Sequence, residues 1–73
     1  MNAKRAPVTD EAIGALIRAK RQESGVGFRE LAEALDMSEQ MLQKYETGVS
    51  AISVIKLVKI AETLRCKTTD LLP

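Results

Sequence analysis

A chain of 73 residues with a net charge of +1 forms one domain near the lower size limit for a core without staples. Phe28 and Tyr45 are its only aromatic residues, so that core must be aliphatic. One cysteine, Cys66, and no histidine exclude an internal disulfide and a zinc site; no metal and no cofactor is expected, and Cys66 reads as a small buried apolar side chain. Residues 1–8 are expected to form a flexible arm and residues 9–73 the domain. Thr9 is placed to cap a first helix over about residues 10–24, whose early Asp10 and Glu11 suit the positive end of the helix dipole. Ala12, Ile13, Leu16, Ile17 and Lys20 recur at helical spacing, and Gly25 fits the left-handed position that ends the helix. A second helix covers about 28–35 with Leu31, Ala32 and Leu35 inward, and Asp36 makes the turn. Ser38 caps a third helix that turns Leu42 and Tyr45 inward and stops at Gly48. Ser53 caps a fourth with Val54, Leu57, Val58, Ala61 and Leu64 as its apolar stripe. Thr68 or Thr69 caps a last short helix whose Leu71 and Leu72 close the core. Nothing reads as a strand, so the fold class is all-α with five helices.

The second and third helices, over about 28–47, are the informative pair. Two short amphipathic helices joined by a tight turn, with Leu31, Ala32, Leu35, Met37, Leu42 and Tyr45 facing one core, form a helix-turn-helix pattern. The second helix of such a pair is the one that enters a DNA major groove. Catalysis finds no support: there is no histidine, the four glycines are scattered, and the acidic pairs sit on expected helix surfaces. The chain is expected not to be an enzyme. No run approaches the roughly 18 apolar residues of a membrane span, and the first seven residues carry no hydrophobic signal core.

From Ile13 to Leu72 the chain resembles the lambda-repressor-like, or Xre, helix-turn-helix family. The resemblance is carried by an arginine-bearing first helix, a glycine, a helix containing Glu30, Leu31 and Ala32, a Ser38-capped third helix ending in Glu46, Thr47 and Gly48, and a leucine-spaced fourth helix. QKYETG followed by Ile52, Ser53, Leu57, Ile60 and Ala61 is similar to a subgroup common in alphaproteobacteria, which has no proline before the fourth helix. The resemblance implies an all-α DNA-binding fold and a buried ion pair between Arg21 and Glu46. It also implies that Gln40, Gln43 and Lys44 enter the groove with Glu39 near its edge; Phe28, Arg29, Ser38 and Thr47 complete the expected DNA-facing set. The chemistry agrees, because a Gln amide pairs with adenine and Lys donates to guanine.

Three features depart from the family. Gly27 and Phe28 stand where a hydroxyl residue and a phosphate-binding Gln are usual, and phenylalanine cannot donate; its ring either turns inward as a staple on the first helix or stays exposed for a partner. Val49, Ser50 and Ala51 replace loop cations. Residues 27–50 hold Arg29 and Lys44 against Glu30, Glu33, Asp36, Glu39 and Glu46, a net charge of −3, while the rest of the chain is at +4. Lys4 and Arg5 either reach the DNA as an arm or are incidental charges. Val49, Ile52 and Ile55 exceed what the core pattern requires and are the candidate dimer contact. Two functions follow: a cytoplasmic, nucleoid-associated regulator, expected to be a repressor that binds a palindromic operator as a homodimer, or a protein-interaction module of the same fold that binds another regulatory protein, as an antirepressor or antitoxin-like partner does.

Overall fold

A computed structural model describes residues 6–73. It contains α1 (Asp10–Glu23), α2 (Phe28–Ala34), α3 (Glu39–Thr47), α4 (Val54–Leu64) and a 3₁₀ turn over Thr68–Leu71, with no strand among the described residues. The starts are fixed by short polar side chains that take up otherwise unpaired amides. Thr9 Oγ1 accepts from Ala12 N–H at 3.0 Å, Ser38 Oγ from Met41 N–H at 3.1 Å and Ser53 Oγ from Lys56 N–H at 3.2 Å. Glu30 reaches back to the Gly27 amide from the first turn of α2.

All four helices stop by one device, in which a left-handed residue lets two amides turn back on the last carbonyls. Gly25, Asp36, Gly48 and Arg65 take this position, with φ of 72°, 54°, 79° and 57°. Each is followed by an amide that closes on a carbonyl five residues back: Val26 on Arg21, Met37 on Ala32, Val49 on Lys44 and Cys66 on Ala61. The first three positions were legible as glycine or aspartate. Arg65 was not, since its side chain gives no such signal.

Ile17, Leu31, Leu42, Ile60 and Leu71 are fully buried, one or more from each helix and one from the last turn, and Ala32, Tyr45, Leu57, Ala61 and Leu64 complete the interior. Ile13, Val26, Leu35, Met37 and Cys66 pack against its edge. Two expectations need correction. In α4 the buried face runs Leu57, Ile60, Ala61, Leu64; Val54 is 74 % exposed and Val58 sits at the rim of that face. The reason is angular: at about 100° per residue the stripe is centred between Leu57 and Leu64, which leaves Val58 about 110° from that centre. The last helix is instead a single 3₁₀ turn, with Lys67 at the cap position and its amide received by Asp70, not by a threonine. Such a short turn inserts Leu71 and leaves Leu72 largely exposed.

Candidate nucleic-acid interface

The seat of α3 is built from backbone. α1 packs most extensively on α3, and it does so at Gly14: a Cβ there would stand 2.3 Å from the Tyr45 carbonyl oxygen and 2.7 Å from that of Glu46. At the far end of α3, a Cβ on Gly48 would meet the Glu11 backbone at 2.5 Å. Only hydrogen at both positions lets the two helices approach this closely. The same side of α1 carries Arg21, whose Nε and Nη2 donate to the Glu46 carboxylate at 2.7 and 3.1 Å while Nη1 donates to the Val26 carbonyl. These two side chains are only 11 % and 6 % exposed, so the charges are largely desolvated and satisfied by each other. Breaking such a pair is costly even where forming it gains little.

With its back sealed, α3 presents Glu39, Gln40, Gln43, Lys44 and Thr47 to solvent; all five are exposed. Met41 is half-buried beside them. Thr47 turns its hydroxyl onto the carbonyls of Gln43 and Lys44, a local bond that leaves an acceptor lone pair outward. Ser38 is occupied as the helix cap. Arg29 bonds Glu39 at 3.1 Å in an exposed pair. Phe28 takes the inward of its two orientations: it packs half-buried against the core, and the Arg21 guanidinium lies over its ring at 5.4 Å.

The charge of −3 counted along residues 27–50 therefore does not sit on the face of α3. Glu46 is neutralised by Arg21 from outside that segment and Glu39 by Arg29. Glu30, Glu33 and Asp36 belong to α2 and the turn after it. Lys44 is the one cation of α3 itself, and Arg18 on α1 joins its flank, bordering an open groove with Gln43 and Thr47. Neither Gly14 nor Arg18 belongs to the site residues expected from the sequence. A glycine within a helical run, where it costs about 1 kcal/mol in propensity, was the available signal for the first. The spacing of Arg18 three residues before Arg21, hence on the same helix face, was the signal for the second.

Of the apolar residues proposed for self-association, Val49 and Ile55 are 73 % and 70 % exposed. Ile52 departs from expectation because it is partly buried and packs against the core. Val54 joins Val49 and Ile55 as an exposed side chain. Lys4 and Arg5 lie outside the described residues. Among the described residues no helix is long and apolar enough to cross a membrane.

A short helix held by a second helix across a left-handed turn, its outward face polar and its back locked to the scaffold, defines a helix-turn-helix domain. The chain belongs to the helix-turn-helix family, of the Xre-like type, whose profile matches residues 17–71. It is 46 % identical over 55 residues to an uncharacterised HTH-type transcriptional regulator of Rickettsia conorii, an alignment that covers 75 % of this chain and 44 % of that protein. The chain thus spans less than half the length of that relative. Among solved structures it resembles the clp gene regulator ClgR of Corynebacterium glutamicum, at 35 % identity and a TM-score of 0.83, over 90 % of this chain and 86 % of that one. It also resembles SinR, a master regulator for biofilm formation solved in complex with DNA, at 28 % identity and a TM-score of 0.73, over 81 % and 95 % of the two chains.

Proposed function

We propose that this domain is the DNA-reading part of a transcriptional regulator that inserts α3 into the major groove and acts as a repressor. One observation carries the reading: the outward row Gln40, Gln43 and Lys44 stands on a helix whose opposite side is immobilised by Gly14 and by the Arg21–Glu46 pair. Base readout needs side chains held in register, and a rigid seat supplies that. The names of the relatives, all three of them regulators and one solved with DNA, support the same reading.

Selection of bound duplexes from a random pool, followed by titration of the selected site at fixed salt, tests it. Gln40→Ala and Lys44→Ala are each expected to weaken binding by about 1–3 kcal/mol while the helical content stays unchanged. Wild-type affinity in both variants rejects α3 as the reader.

A single short helix covers too few base pairs to be selective, so the reading includes a symmetric homodimer on a near-palindrome with half-sites about 34 Å apart. Three large apolar side chains that stay exposed, Val49 just after α3 and Val54 and Ile55 at the start of α4, support it. Sedimentation with and without a palindromic duplex should report a dimer that Ile55→Lys converts to a monomer. A wild type that stays monomeric in both conditions favours the second reading, in which these side chains receive another regulatory protein.

A further inference from the structure

We propose that Arg18 grips a backbone phosphate at the rim of the major groove, anchoring the domain from α1 beside the reading helix; this rests on the DNA-binding reading above. The groove at the flank of α3 is lined by Arg18, Arg21, Phe28, Gln43, Glu46 and Thr47. Two of its three charges are consumed internally: every Arg21 nitrogen is engaged, by Glu46 or by the Val26 carbonyl. Arg18 is exposed and has no acidic partner among the described residues. It borders Gln43 of the outward row and the exposed Thr47 on α3, yet it is rooted on a different helix. When a reading helix lies in the groove, side chains that flank it from the scaffold meet the sugar-phosphate rim and not the base edges. A guanidinium is the side chain best matched to that partner, since its planar fork binds two phosphate oxygens at once.

The rest of the surface gives this contact its weight. Phe28 has no donor, residues 49–51 have no cation, and Arg29 is held by Glu39. Affinity for DNA depends on cations that displace condensed counterions, and beside Lys44 the flank of α3 offers Arg18.

The test is the salt dependence of binding to a duplex selected by the wild-type protein. For Arg18→Ala the slope of log affinity against log salt should be shallower by about 0.9, so that its deficit relative to wild type shrinks about threefold between 50 and 200 mM salt. Its preference for the selected over a scrambled duplex should not change, because a phosphate carries no sequence. Arg18→Lys should retain the wild-type slope, and so should Lys67→Ala, which removes an exposed charge beside the 3₁₀ turn. Circular dichroism checks that Arg18→Ala stays folded. A wild-type slope and affinity in Arg18→Ala overturn the proposal, as does an equal loss of slope in Lys67→Ala, which reduces Arg18 to a contribution to the general field. If the wild type binds no duplex, the DNA reading falls and this proposal with it; if the wild type binds and Arg18 alone is indifferent, only the proposal falls.

Discussion

Gly14→Ala tests whether α3 is held by direct backbone contact. In the middle of an unconstrained helix this substitution stabilises by about 0.5–1 kcal/mol, because alanine restricts the unfolded chain. At Gly14 the added methyl would lie 2.3 Å from the Tyr45 oxygen, 2.7 Å from the Glu46 oxygen and 2.9 Å from the Glu46 carbonyl carbon, whereas ordinary contact begins at 3.4 Å. All three atoms are α3 backbone, so no side-chain rotation gives relief and the two helices must part by about 1 Å. Overpacking of this kind costs about 1–3 kcal/mol. The propensity gain leaves a net loss of about 0–2.5 kcal/mol, and three backbone atoms inside contact distance put it in the upper part of that range, about 1–2.5 kcal/mol, which lowers the Tm of a domain this size by about 5–20 °C. Thermal and urea unfolding followed by far-UV circular dichroism measure it, and the urea midpoint should fall without a change in m. A Tm equal to or above wild type would refute the close approach of α1 and α3.

Four further outcomes follow from the packing. Leu57→Ala should cost about 2–5 kcal/mol and Val54→Ala almost nothing, because Leu57 is 5 % and Val54 74 % exposed; equal effects in urea titrations would mean a different rotation of α4. Arg21→Ala strands the Glu46 carboxylate at 6 % exposure and should cost about 3 kcal/mol, the low end for a broken buried pair, with much of the loss recovered by adding Glu46→Gln; absence of recovery would argue against charge burial as the cause. Arg65→Gly should stabilise by about 0.5–1 kcal/mol in thermal melts, since φ is 57° there and the left-handed strain exceeds the added chain entropy. Burial pushes the Cys66 thiol above its usual 9.0; above that pH the unfolded thiol ionises first and the folded state binds the extra proton. The contribution is therefore flat below pH 9 and turns against folding as pH rises, and Ellman's reagent should label the native thiol more slowly than the denatured one.

Much of the fold was legible because its signals are local. Thr9, Ser38 and Ser53 cap helices through hydrogen bonds spanning three residues, and Gly25, Asp36 and Gly48 end them through a single backbone angle. Such bonds depend on nearest neighbours, so the sequence carries them openly. The outward row of α3 is equally local, since Leu42 and Tyr45 define the inner face and periodicity leaves Gln40, Gln43 and Lys44 on the other. The rotation of α4 was less secure. Val54 and Val58 are as apolar as Ile60, and only the position of the neighbouring helices decides which of them is covered.

What tertiary structure alone decided is where charge and space finally lie. Glu46 counts as an acid along the chain, but a cation 25 residues away neutralises it, and the acids of residues 27–50 left without a cation partner among the described residues, Glu30, Glu33 and Asp36, lie on α2 and its turn rather than on the outward face of α3. Gly14 is an unremarkable weak point in a helix until the carbonyls of Tyr45 and Glu46 arrive against it. Ile52 looked surplus to the core until a loop folded it back onto that core. Each depends on contacts between segments distant in sequence, whose distances are set by the packing of whole helices, and residue type and spacing carry no record of those distances.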